Sequence, residues 1–466
     1  MLLSSPSFLI FLGAVFFLYW PASRNRRLAL AVVVLANCYF YARWHPIYLL
    51  LIPAAASIDY LLALGMGRAE TRAVRKSYVA GSLLLNLGLL ASLKYVPFFL
   101  ENFTGLSHEA AAKWHWSLPL GLSFYVFQSL TYTLDIYRRH LKPTTNWLAY
   151  VASASFFPTT LAGPITRIAD LLPQMERTDS EVTPSDCGRA AFLIGLGLAK
   201  KYLIADYLGE NLVNRVFDLP SLFSGFEVLV AVYAYAAQIY YDFSGYTDIA
   251  IGSALLLGIR LPQNFRRPYG AVNVNDFWRR WHLTLSNWLR DYLYFSLPGL
   301  RSKWKILAYT NLMITMVVAG LWHGPSWTFV IWGALHGAGL VVVRLLQARR
   351  KGAAPRLPVW SRVVITLHFV CFGWIFFRSA DLATAFAILD RIGSLTFATA
   401  NIRPEYALVL VLAFALHYLP EGWTLSVRET FAAAPAWAQA VVIFLVLTAV
   451  RYVVASGSAP FIYTRF

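Results

Sequence analysis

Two histidines sit in sequence that otherwise reads as membrane-buried. His282 lies in "DFWRRWHLTLSNWLRDYLYF" (276–295) and His323 in "AGLWHGPSWTFVIW" (319–332). An imidazole with its pKa near 6.5 can take up and return a proton at neutral pH, which is what general-base catalysis asks of a side chain. A structural histidine, hydrogen-bonded between packed helices, would leave the same trace. For His323 the neighbours add a physical argument. Gly320, Gly324 and Pro325 surround it, and proline lacks an amide hydrogen and disfavours helix at the residue before it. Helix should break here, and irregular backbone at membrane depth survives only inside protein or beside a watery cavity. His323 is therefore expected to meet water or substrate. His336, in an uninterrupted "WGALHGAG", is read as structural.

Around His282, residues Phe277, Trp281, Leu285, Trp288, Tyr292 and Phe295 recur at steps of three and four, the spacing of one helical face. Arg280, Thr284, Asn287 and Asp291 fall on another face. Asn273, with Asp276 three residues on, makes an N-cap, and Pro298-Gly299 ends the segment. Too polar to cross, this helix is expected to lie along the interface or line a cavity, with His282 turned inward. Upstream, Asp242 and Asp248 of "YYDFSGYTDIAIG" (240–252) flank a Ser-Gly-Tyr stretch read as a turn. A carboxylate at bilayer depth costs about 2.5–3.5 kcal/mol. Each therefore faces a partner or water, or bonds backbone amides at a helix break. Arg260, Arg266 and Arg267 follow, suited to cytoplasmic phosphate contacts or simply to topology.

The elements that must position these groups are membrane helices. Of 466 residues, 58% are hydrophobic and 14% charged, where a soluble domain is nearer half and a quarter. Apolar stretches recur at 3–20, 28–42, 46–65, 78–100, 118–137, 227–241, 306–322, 326–343, 359–377, 405–419 and 436–455. Further ones at 147–163, 190–206 and 247–259 span, re-enter or pack inside the protein. With about 20 residues needed per crossing, the expectation is one all-α membrane domain over 1–466 with about 10–12 crossings. The first stretch lacks a basic flank and a cleavage site, so it reads as a retained helix. Net charge is +17, and arginines and lysines follow alternate spans, as at Arg24, Arg26 and Arg27, at Arg68, Arg72, Arg75 and Lys76, and at Arg138, Arg139 and Lys142. By the positive-inside rule these loops are cytoplasmic and both termini face outward. Nucleic acid is not the partner this charge implies. Cys38, Cys187 and Cys371 lie far apart and form no metal or disulfide pattern. From these residues alone, enzyme and transporter stay open, although the lack of an inverted repeat counts against a secondary transporter.

Four stretches, "LPLGLSFYVFQSLTYTLDIYR" (118–138), "YYDFSGYTDIAIG", "PQNFRRPY…FWRRWHLTLSNWLRDYLYFSL" (262–297) and "GLWHGPSWTFVIWG" (320–333), resemble the membrane-bound O-acyltransferases, closest to the bacterial alginate O-acetylase branch. The resemblance runs over nearly the whole chain. It implies a ring of helices around a thinned centre, where a cytoplasmic pocket and an outward funnel meet. It assigns His323 to the essential catalytic histidine and His282 to the second active-site histidine, and it makes 147–163 a re-entrant segment. The tail 456–466 ends F-x-Y-x-x-F at Phe461, Tyr463 and Phe466. It is similar to the C-terminal motif of polysaccharide and peptidoglycan O-acetylation systems, in which the tyrosine carries the acyl group. A phenol near pKa 10 leaves more readily than a sugar hydroxyl, so such a relay divides one hard transfer into two easier ones. Thr464 and Arg465 depart from the family's usual ending. The function implied is acetyl transfer from cytoplasmic acetyl-CoA, with no tightly bound cofactor and with Arg266 and Arg267 aiding the donor. The acetyl group would cross a bacterial inner membrane to a periplasmic serine (SGNH-type) acyltransferase and an extracytoplasmic polysaccharide, alginate first, another exopolymer or peptidoglycan second. The alternatives are D-alanyl transfer to teichoic acid and a channel or lipid transporter without chemistry.

Overall fold

A computed structural model describes residues 1–107, 121–161, 163–177, 181–299, 305–350 and 355–454, and every regular element among them is helical. Among the described residues, six helices are long and apolar enough to cross a membrane: Tyr48–Arg68, Arg72–Lys94, Ile306–His323, Trp327–Arg349, Val359–Arg378 and Ala436–Val453. The pair Pro404–Tyr418 and Glu421–Ala433, bent by 93°, would make a seventh if it were one span. This is fewer than the 10–12 expected by the length rule, because several apolar stretches fold into short or broken helices. Stretch 147–163 becomes Trp147–Ala154 and Phe157–Thr160, both far below crossing length. Large apolar side chains are nonetheless exposed on many helices, as at Phe17, Leu84, Trp437 and Phe444, and the surface that would explain them is lipid.

The chain divides into two compact units, one formed by Met1–Ile194 with Thr247–Pro262, the other by Gly195–Tyr246 with Gln263 onward. In the first, the broken segment is buried from Ala149 to Thr160, and neighbouring side chains take up its polar groups. The side chain of Asn37 donates to the Ala152 carbonyl (3.3 Å) and accepts from the Phe157 N–H (2.9 Å). Gln128 donates to the Ser153 carbonyl (2.6 Å). Asp59, wholly buried, accepts from Ser82 (2.7 Å), Asn86 (2.7 Å) and Ser129 (2.6 Å). Arg75, expected to mark topology, is buried and caps the ends of two helices. Its guanidinium donates to the carbonyls of Met66 (3.0 Å), Ile136 (2.7 Å) and Tyr137 (3.1 Å), the pairing that orphan C-terminal carbonyls favour.

The second unit centres on a hairpin of Lys305–His323 and Trp327–Arg350. Glycines set how closely its arms approach. A Cβ on Gly320 would run into the carbonyl of Phe329, and one on Gly333 into that of Met316. Small residues at such contacts let backbones meet where lipid offers no hydrophobic gain. A correction concerns Asp242 and Asp248: they do not flank a turn but lie in one continuous helix, Gly225–Leu256. There Gly245 marks a close contact, since its Cβ would sit 2.7 Å from the Gly197 carbonyl. A serine-glycine pair that would signal a turn in solution here serves helix packing. Replacing Gly320 or Gly333 by Ala should lower the melting temperature of the detergent-purified protein by several degrees, whereas Gly88→Ala, with open space at its Cβ, should leave it unchanged.

Candidate active site

The His282 segment begins as expected, with Asn273 accepting the Asp276 N–H at 2.9 Å. Phe277, Trp281, Leu285, Trp288 and Tyr292 are buried as the stripe predicts, although Phe295 is exposed. The single helix is not observed. Val274–Trp278 stops, Leu283–Trp288 follows, and a π turn and a 3₁₀ turn complete the segment. The break falls at His282, whose φ of 42° is left-handed. A non-glycine residue held there costs about 1–3 kcal/mol and persists only when its surroundings enforce it. Enforcement comes from the PQNF strip on either side of the break. The Arg266 N–H donates to the Arg280 carbonyl (2.9 Å), and the Leu283 N–H donates to the Asn264 carbonyl (2.9 Å).

His282 is fully buried, as its inward lean predicts. Its ring stands perpendicular to that of Phe243 in the "DFSGYTD" stretch, the ring centres 4.6 Å apart. Burial pushes its pKa down to about 3, so the ring is neutral over the physiological range. Asn264 Oδ1 faces His282 Nδ1 at 3.1 Å and also accepts from the Thr284 N–H (3.3 Å) and hydroxyl (3.0 Å).

His323 is the last residue of its helix, and the next begins at Trp327, so the break around Pro325 lies where expected. His323 is 4% exposed, and the rings of Trp322 (4.9 Å), Phe377 (5.1 Å) and Trp332 (5.2 Å) stand around it. One of these aromatic side chains comes from the distant Val359–Arg378 helix. Trp322 also reaches the His282 ring, at 6.3 Å, and so touches both histidines. His336 is buried and accepts from Trp278 Nε1 (3.3 Å), the structural role assigned to it.

Two residues that sequence reasoning missed stand beside this arrangement. Lys201 Nζ lies 2.7 Å from Asp206 Oδ1 and 2.9 Å from Asp242 Oδ1, and all three side chains are buried. Asp242 thus faces a partner, the first of its two expected environments. A lysine inside the apolar 190–206 stretch was the available signal, and the π-helical turn Lys200–Asp206 is a form frequent at functional sites. Arg266 is exposed, while Arg267 (φ 44°) donates to the Leu419 carbonyl at 2.8 Å. Phe461, Tyr463 and Phe466 lie outside the described residues.

Because the strain at 282 is in the backbone, His282→Gly should unfold at higher temperature than His282→Ala, a difference thermal scans of the two purified variants would reveal. Equal melting temperatures would mean the left-handed φ carries no cost.

The membrane-bound O-acyltransferase family model matches residues 83–383. The chain is 34% identical to a peptidoglycan O-acetyltransferase of Helicobacter pylori, covering 81% of this chain and 76% of that protein. It is 37% identical to the probable alginate O-acetylase of Pseudomonas aeruginosa, covering 84% and 75%. A teichoic acid D-alanyltransferase of Bacillus subtilis is 27% identical over 55% of this chain and 68% of its own. A matched family model over most of the chain, together with this helical architecture, makes the protein a multi-pass membrane acyltransferase that belongs to the membrane-bound O-acyltransferase family.

Proposed function

We propose that the protein moves acetyl groups from cytoplasmic acetyl-CoA across the bacterial inner membrane for O-acetylation of an extracytoplasmic polysaccharide. The observation that carries this reading is the meeting of two buried histidines on Trp322, in a chain 34–37% identical to proteins named as O-acetylating enzymes. In this reading His323, with His282 beside it, takes the proton of the acceptor hydroxyl. The oxygen attacks the thioester carbonyl, the carbon–sulfur bond breaks, and the departing thiolate receives the proton back. The acceptor is the phenol of Tyr463 on a periplasmic tail, with both termini on that side. An aryl ester keeps enough reactivity for a periplasmic serine (SGNH-type) acyltransferase to collect the group. Arg266 and Arg267 hold the phosphates of the donor, which stays a substrate and not a resident cofactor.

The aromatic walls around His323 suit this chemistry. A dry site strengthens electrostatic interactions and keeps water from hydrolysing the thioester. Alginate is the first polymer, in line with the Pseudomonas aeruginosa relative, and peptidoglycan or another exopolymer the second. D-alanyl transfer is disfavoured because the relative so named shares less identity over a shorter span.

Tyr463→Phe should abolish polymer O-acetylation in cells while leaving the protein's amount and melting temperature unchanged; full acetylation would remove the relay step. A deletion strain should lose O-acetyl esters from its polymer and keep any D-alanyl esters. The reverse loss would favour the alternative.

A further inference from the structure

Asn264 makes contacts that decide the chemistry of the histidine beside it. Its side-chain oxygen is identified by what points at it: the backbone N–H of Thr284, at 3.3 Å, can only donate. The atom of Asn264 facing His282 is therefore the amide oxygen. His282 Nδ1 lies 3.1 Å from that same oxygen, and two lone pairs would repel at this distance. The hydrogen of the neutral ring must then sit on Nδ1, which leaves Nε2 as the nitrogen with a lone pair. Asn264 is itself 1% exposed, and its backbone carbonyl is tied to the Leu283 N–H, so its side chain is set by the same strip that holds His282 left-handed.

We propose that Asn264 is the positioning residue that fixes the tautomer of His282, holding hydrogen on Nδ1 and presenting Nε2 as the proton acceptor. This rests on the acyl-transfer reading above, in which His282 stands beside the proton-transferring His323. A ring free to flip or to exchange tautomers would offer Nε2–H, a donor, to an acceptor hydroxyl whose proton must be removed. A carboxylate or carbonyl behind a histidine is a general means of setting which nitrogen works. The effect of the Asn264 oxygen passes through the ring it faces.

The test uses the purified full chain and radiolabelled acetyl-CoA, scoring the maximal rate of label transfer and the donor concentration giving half that rate. Asn264→Ala should reduce the maximal rate by about 10²-fold, at the low end of what a general base supplies, with the half-saturating donor concentration within about twofold of wild type. Asn264→Asp, which keeps an oxygen facing both Nδ1 and the Thr284 N–H, should recover to within about fivefold of wild type. In a His282→Gln background, adding Asn264→Ala should change the residual rate by less than about twofold, because the two residues act as one unit. A shift confined to the half-saturating concentration, or a full further loss in the double variant, would overturn the assignment. A wild-type rate for His282→Gln would instead remove the role given to His282, and a wild type that takes no label would remove acyl transfer itself. Should the Asn264 variants fail to fold, a ¹⁵N-histidine spectrum of the wild type in lipid bilayers decides: with His282 identified by its absence from the spectrum of His282→Gln, it should show Nε2 without hydrogen. A protonated Nε2 overturns the proposal.

Discussion

The oxygen of one amide, Asn264 Oδ1, takes hydrogen bonds from the Thr284 N–H and hydroxyl and faces the ring nitrogen of His282 at 3.1 Å. Together with the backbone bonds from the Arg266 N–H to the Arg280 carbonyl and from the Leu283 N–H to the Asn264 carbonyl, it surrounds the strained residue between two helices. Polar atoms at this depth cannot fall back on water, so each break in regular backbone needs a partner supplied from elsewhere in the chain. The same constraint appears in the first unit, where Asn37 and Gln128 take up the groups freed by the broken 147–160 segment. At both of these breaks the irregular backbone is paired, and the pairing residues are what sustain the special geometry.

Lys201 with Asp206 and Asp242 obeys this logic with charges instead of dipoles. Taking three charged groups out of water is costly, and such a cluster contributes little net stability compared with an apolar one of equal volume. Breaking it would be far worse, since an unpaired carboxylate would remain in a low-dielectric interior. Its consequence is positional. It ties the Lys200–Asp206 turn to the helix that carries Phe243, and the Phe243 ring packs perpendicular to that of His282. The "DFSGYTD" stretch therefore acts through two adjacent residues, one facing an ion pair and the other an imidazole.

Much of this was legible in the sequence where the cause was local. The N-cap at Asn273, the buried stripe through Tyr292, the end of helix at His323 and the burial of His282 all follow from spacing and from proline chemistry. What escaped depends on residues far apart in the chain. The break at His282 is enforced by Asn264 and Arg266, 18 and 16 positions upstream, so no helical period within 273–299 could reveal it. The partner of Asp242 is Lys201, on another helix. Gly245 looked like a turn because its packing neighbour, the Gly197 carbonyl, is invisible in a linear reading. The aromatic surroundings of His323 include Phe377, which follows it by more than fifty residues.

The central claim is that a buried imidazole at position 323 moves the proton in acyl transfer. The most direct measurement is single-turnover transfer of labelled acetyl from acetyl-CoA by the purified protein and by His323→Ala, matched for folded protein by size exclusion and thermal unfolding. The account predicts rapid labelling of the wild type and a loss of at least about 10²-fold in the variant. Labelling of His323→Ala at the wild-type rate would contradict it.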